Sequence, residues 1–341
     1  MSIFSAVGDT KKKGSKSSKN DIPPPLLPRL NAYLASLPTV DKSRKVDCFH
    51  PSQIGTCPRA QILARMGAPA ENNLFGGMEL YQGMMVRIFD NGTASHERLQ
   101  GYEKDMEILH GDWYCHYCKT VIKNKYGSKE MKCPKCKKHQ FIEYNEIRID
   151  RPDLELYGKT DGRLTLNDVS FLQEIKTIKK EFYDVIASFA KIHMHPEGRV
   201  RLNMATLDTL VEDIQEAGNK KKCKPADMRE VIKIIKKHIE QFAIYMYGTK
   251  SRYGVILYEN KSNQLIEEFL ITFTRDMIDP TINKIKYMQD CIEKSTLPLV
   301  EEMEVDYKCK ECGVRRVCGS PKKIKALYAT YNNIRFPGKK K

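Results

Sequence analysis

LELYGKTDGRLTL, residues 154–166, followed after a short turn by SFLQEIKTI, residues 170–178, is the stretch on which the fold turns. Both segments read as strands bounded by turn residues. In an extended chain, positions i and i+2 face the same side. Glu174 and Lys176 therefore point together, while Ile175 points into the core. Asp161 lies thirteen residues before Glu174. From a neighbouring strand its carboxylate can converge with Glu174 on one hard divalent cation, which prefers oxygen ligands. Such a cation lowers the pKa of a bound water and offsets charge on a phosphate under attack. Lys176 would orient that water and stabilise the developing negative charge. The spacing alone is cheap, because solvated surface charge gives the same pattern in many basic proteins.

Outward from this stretch, YNEIRID (144–150) reads as a further strand, and YGVILYE and LIEEFLITF as a closing pair. Helices are expected over LLPRLNAYLASL (26–37), Arg59 to Met66 with Cys57-Pro58 at its mouth, and Leu80 to about Met106 with Gly92 interrupting it. Residues 225–247 have apolar positions at helical spacing. A last helix runs from about Arg275 to Lys294. Mixed helices and strands make the class α/β, or α+β if the sheet is mostly antiparallel. Residues 1–22, rich in Lys, Ser and Gly, are expected to be a disordered basic tail ended by Pro23-Pro24-Pro25.

The 341 residues carry 58 Lys and Arg against 43 Asp and Glu, a formal charge of +15. That excess favours a polyanionic partner, although a solvated basic surface is the plain alternative. No run approaches the roughly 18 apolar residues of a membrane span, and the first residues lack the apolar core of a secretory signal. The expectation is an intracellular, cytoplasmic protein, of a kind that fits a prokaryotic or phage setting, with no membrane partner.

Eleven cysteines in a reducing compartment point to metal rather than disulfides. Cys115-x2-Cys118 and Cys133-x2-Cys136 have the spacing of two knuckles whose four thiolates meet tetrahedrally around zinc. Residues 111–142 therefore read as an inserted zinc ribbon. With four protein ligands no position is open for water, so that zinc would be structural.

Six short motifs in chain order resemble the RecB-like branch of the PD-(D/E)XK nucleases. They are Cys57-Pro58-Arg59, Gly92-x3-His96, Gly158-x2-Asp161, Glu174-x-Lys176, Gln241-x3-Tyr245 and Cys309-x2-Cys312-x5-Cys318. The iron–sulfur members are the nearest match: the CRISPR-associated exonucleases and the nuclease domain of AddB-type helicase–nucleases. The resemblance implies a nuclease core with a mixed sheet flanked by helices, covering residues 23–110 and 143–341. It implies that His96, Asp161, Glu174 and the Ile175 carbonyl bind Mg2+ or Mn2+, and that Lys176 is catalytic. Gln241 and Tyr245 would line the DNA groove. Cys57, Cys309, Cys312 and Cys318 would ligate a 4Fe–4S cluster; zinc fits the same spacing.

The expected activity is metal-dependent hydrolysis of DNA, as an exonuclease on single strands or exposed ends. Repair, recombination and CRISPR adaptation all suit it. The zinc ribbon departs from the family pattern, and with no motor motif present any helicase must be a separate protein. The rivals are a catalytically silent nuclease-fold DNA-binding or assembly factor, and a protein whose function resides in the ribbon. His193, His195, Cys48, Cys223, Cys291 and the run Lys220–Lys222 are read as ordinary surface or thiol positions. Trp113 and the tyrosines near the ribbon suit base stacking and core packing equally.

Overall fold

In the computed structural model the described residues are 26–37, 47–68, 78–192, 200–202, 212, 214–216, 218–219, 225–272, 274–299, 309 and 312–335. The tail 1–22, His193, His195, Lys220–Lys222 and Cys223 lie outside them. Helices are α1 (Leu26–Ser36), α2 (Pro51–Ile54), α3 (Pro58–Arg65), α4 (Met78–Asp105), α5 (Lys180–Ile192), α6 (Pro225–Thr249), α7 (Arg275–Glu293), α8 (Arg315–Cys318) and α9 (Pro321–Arg335). Strands are β1 (His110–Cys115), β2 (Thr120–Tyr126), β3 (Ile142–Asn145), β4 (Ile147–Arg151), β5 (Leu156–Thr160), β6 (Gly162–Leu166), β7 (Val169–Ile178), β8 (Val200–Leu202), β9 (Tyr253–Asn260) and β10 (Ile266–Thr272). The class is α/β.

The central sheet has the order β6-β7-β9-β10-β8. β7 runs parallel to β9, and β10 parallel to β8, while β6/β7 and β9/β10 are antiparallel. The sheet is therefore mixed rather than mostly antiparallel. A parallel β7/β9 pair needs a long crossover, and α5 and α6 lie in that connection. α5 buries Tyr183, Val185, Ile186 and Phe189, and α6 buries Val231, Ile235, Ile239, Phe242 and Met246, all in one core with Leu172, Ile256 and Ile271. Gly254 of β9 is held to glycine here, since a Cβ would lie 2.4 Å from Phe242. Phe242 is 1% exposed, so truncation to Ala removes about 3–5 kcal/mol.

Three expectations change. First, α4 runs unbroken through Gly92, where an added Cβ would meet nothing within 4 Å. One glycine costs about 1 kcal/mol against Ala, too little to end a 28-residue helix. Second, YNEIRID and LELYGKTDGRLTL are not continuous strands. Each breaks at its acid, Glu146 between β3 and β4 and Asp161 between β5 and β6. Third, the strands of the four-cysteine module reach beyond residues 111–142 and pack on the central sheet. Its sheet, β2-β1-β3, spans His110 to Asn145. A bridge joins Leu109 to Leu164, and Leu109, Trp113, Tyr144, Leu164 and Val255 share one apolar cluster. Trp113 is 1% exposed and donates its indole N–H to the Lys125 carbonyl at 3.1 Å. It packs a core and is not available for stacking on bases.

Candidate active site

Two ladders end at Asp161. In β4/β5 the pairs run from Arg151↔Leu156 to Ile147↔Thr160, and the next step of that register sets Glu146 opposite Asp161. In β6/β7 the pairs end at Gly162↔Gln173, and the next step sets Asp161 opposite Glu174. One residue between two short strands thus brings three acids to one seam. Gly158 permits the close packing beneath it, because a Cβ there would lie 2.7 Å from Pro51 and 3.4 Å from Tyr245.

α4 covers this seam. His96, Gln100 and Glu103 are four and three residues apart and share a helix face. His96 Nδ1 lies 3.3 Å from Asp161 Oδ1. Gln100 donates to the Asp161 carbonyl at 2.8 Å, and Gln173 donates to Glu103. Asp161 Oδ2 accepts the Ile175 N–H at 2.6 Å. Ile175 itself is 1% exposed, and Glu174 on the opposite face is enclosed as well, at 2%, because Gln241 of α6 packs over it.

Glu174 and Lys176 do share a face. Lys176 Nζ donates to Glu174 Oε1 at 2.5 Å and to Gln241 Oε1 at 3.1 Å. Gln241 Nε2 donates to the same Glu174 oxygen at 2.7 Å and to the Tyr245 hydroxyl at 3.1 Å. The i, i+4 spacing of Gln241 and Tyr245 on α6 is thereby realised. Both are buried, so they back the carboxylate and the lysine instead of facing an open groove.

Burial, then the charge of Asp161, pushes Glu174 up to about 8, against the pull of Lys176. Burial also lifts Glu146, with Asp161 adding to it. Glu103 rises to about 7, again by burial first, with the Gln173 hydrogen bond opposing and Asp161 reinforcing. At His96 burial acts downward, but the hydrogen bond and charge of Asp161, with the charge of Glu174, turn the net shift upward.

His96, Glu146 and Asp161 each offer a ligand atom, and these atoms lie within 4.8 Å of one another. One imidazole and two carboxylates form a donor set suited to a hard divalent cation. The fit has a second sign: Glu174 Oε2 is buried without a hydrogen-bond partner, a state costing about 1–3 kcal/mol unless a cation or water satisfies it. Sequence reasoning had Asp161, Glu174, Lys176 and His96 but missed Glu146, Gln100 and Glu103. For Glu146 the usable signal was the antiparallel pairing of YNEIRID with the segment ending at Asp161.

Cys115, Cys118, Cys133 and Cys136 form the other group within 4.8 Å. The sulfurs of Cys118 and Cys133 are 3.4 Å apart, and those of Cys115 and Cys136 are 3.6 Å apart. Thiolates about 2.3 Å from one tetrahedral ion would sit nearly this far from each other, so the four can hold a metal.

Cys57, Cys309, Cys312 and Cys318 are not such a closed group among the described residues. The segments that carry Cys57 and Cys318 nevertheless meet. Arg59 Nε donates to Cys318 Sγ at 3.4 Å and Arg59 Nη1 to the Pro298 carbonyl at 2.5 Å. Burial raises the Cys57 thiol pKa; backbone hydrogen bonds oppose this, and the charges of Cys312 and Cys318 reinforce it.

No protein-family model matches the chain, and no curated protein matches it. A solved structure described as "Crystal structure of SSO0001" is similar at a TM-score of 0.34 and 13% identity, over 87% of this chain and 94% of that one. A likeness of that degree bears on neither fold nor function. Among the described residues no helix is long and apolar enough to cross a membrane.

Proposed function

We propose that this protein is a metal-dependent DNA nuclease of the RecB-like PD-(D/E)XK kind, acting on single strands or exposed ends. The observation that carries this reading is the convergence of His96, Glu146 and Asp161 within 4.8 Å, beside the Glu174–Lys176 pair. These three side chains would hold Mg2+ or Mn2+, with Glu174 and the Ile175 carbonyl as further oxygen donors. When bound, such an ion lowers the pKa of water and offsets phosphate charge.

The chain's own residues do the positioning. The Ile175 N–H fixes Asp161 Oδ2 and leaves Oδ1 toward His96. Gln241 holds Glu174 Oε1, so the carboxylate cannot swing freely. Lys176 keeps its ammonium at that same oxygen, where it can orient the attacking water and neutralise charge on the phosphate in the transition state. The excess of basic residues supplies the field that draws a polyanion in.

Zinc is the assignment for Cys115, Cys118, Cys133 and Cys136, as a structural site. For Cys57, Cys309, Cys312 and Cys318 the resemblance implies a 4Fe–4S cluster, which takes four thiolates; any metal held there would close a long loop and so stabilise the fold. Anaerobically purified protein should then be brown, with the colour lost in Cys312→Ser; colourless protein holding two zinc ions per chain would assign that set to zinc, and colourless protein holding one would leave it without metal.

The activity test is digestion of end-labelled single-stranded and duplex DNA with Mn2+, wild type beside Glu174→Ala. The expected result is cleavage by wild type alone. Uncut DNA, bound equally by both proteins, would make this a silent DNA-binding factor.

A further inference from the structure

The mechanism makes no use of the knuckle end of the four-cysteine module. Tyr117, inside the first knuckle, is 57% exposed, and Phe141, at the foot of β3, is 39% exposed. Their rings lie 5.6 Å apart with a 34° tilt. Lys138 Nζ sits 3.3 Å from the Tyr117 centroid and 5.6 Å from that of Phe141. The knuckle segments HYCK (116–119) and MKCPKCKKHQ (131–140) carry five lysines and no carboxylate. Of these, Lys119, Lys132, Lys135 and Lys137 are exposed. Lys119 and Lys137 have positive φ, 55° and 62°, so each turns the chain at its knuckle.

The carboxylate of Glu143 borders this face, and it pairs with His116. Aromatic rings set among an excess of lysines form the surface a single-stranded polynucleotide recognises, bases on the rings and phosphates on the ammonium groups. The position fits as well. β3 runs from this face directly into Glu146, and five residues at about 3.3 Å each place the metal cluster roughly 16 Å away. We propose that Tyr117, Phe141 and Lys138 form a docking face for single-stranded DNA that leads the strand to the seam at Asp161. The choice of DNA as occupant rests on the nuclease reading; the stacking face rests on the module's own geometry.

The test is fluorescence anisotropy of labelled oligo-dT and of a labelled blunt duplex, with full-length protein carrying Asp161→Asn so that nothing is cut. Tyr117→Ala and Phe141→Ala should each weaken oligo-dT binding on the order of tenfold. Tyr117→Phe, which keeps the ring, should bind like the parent, and duplex binding should change far less. Metal content of each variant, still one zinc in the module, certifies the fold. If Tyr117→Ala loses zinc, Tyr117→Leu replaces it, filling the site without a ring. Unchanged oligo-dT affinity in the Tyr117/Phe141 double variant, an equal loss on duplex, or a parent that ignores oligo-dT each overturns the proposal. Cleavage by the wild type is scored separately. DNA cut normally by Tyr117/Phe141 variants of unchanged affinity removes this inference alone; lost affinity in a protein that never cuts removes the nuclease reading alone.

Discussion

Four sulfurs in the β1–β3 module and three hard ligands at the end of the β4/β5 ladder assemble two metal-shaped sites by opposite routes. The sulfurs come from two tight knuckles 21 residues apart at most, and local turns place them. His96, Glu146 and Asp161 come from a helix and two strand breaks, and only register and packing bring them together. The first set is closed, with every ligand position filled by thiolate. The second leaves Glu174 Oε2 unpaired beside it and has an ammonium close by. A closed soft site suits structure, and an open hard site suits chemistry.

That contrast makes its strongest prediction in a pair of variants. Asp161→Ala removes the partner of His96 and of the Ile175 N–H, and should reduce cleavage by on the order of 10³-fold or more. Cys133→Ser should release zinc and destabilise the module by several kcal/mol, and should weaken single-strand affinity as the knuckle face is lost, yet leave the cleavage rate at saturating DNA within roughly threefold while the rest of the domain stays folded. Denaturant melts and end-labelled digestion of both variants check this. Equal loss of cleavage would erase the division between the two sites.

Lys176→Ala comes next. Cleavage should fall by roughly 10²-fold with Mn2+ and DNA affinity kept, and unchanged turnover would remove its assigned role. Glu146→Gln should raise the Mn2+ concentration needed for half-maximal cleavage about tenfold, with activity returning at high metal. A variant that needs no extra metal would place Glu146 outside the site.

The smallest effect is on stability. Burial, then the charges of Lys176 and Lys237, hold His238 well below its ordinary pKa, and its Nδ1 lies 3.2 Å from the Tyr258 hydroxyl. The unfolded chain therefore binds the proton first. His238 contributes stability that is present above about pH 6.5 and is lost as the pH falls below it, by at most about 1.4 kcal/mol per pH unit. Denaturant midpoints measured from pH 7.5 to 5.5 should shift less in His238→Gln than in wild type.

Much of this was legible in the sequence where the signal is local. The knuckle spacing gave the sulfur cluster, strand alternation gave Glu174 and Lys176 on one face, and helical spacing gave Gln241 and Tyr245. Glu146 was not legible in that way, because YNEIRID has the look of one uninterrupted strand. Its break appears only when the segment is paired with the one ending at Thr160. Gly92 misled for a related reason: propensity marks it as a weak point, but the rest of α4 holds the helix through it. Trp113 could not be assigned from the sequence, since the Leu109–Leu164 contact that encloses it joins residues 55 positions apart.

His96, Glu146 and Asp161 form one open site of an imidazole and two carboxylates, and Mn2+ binding followed by electron paramagnetic resonance probes it without reference to cleavage. One Mn2+ per chain should bind beyond any metal on cysteine, with nitrogen coupling from His96 that vanishes in His96→Ala and binding that collapses in Asp161→Asn. Protein that takes up no Mn2+, or whose Mn2+ signal is the same in all three proteins, would contradict it.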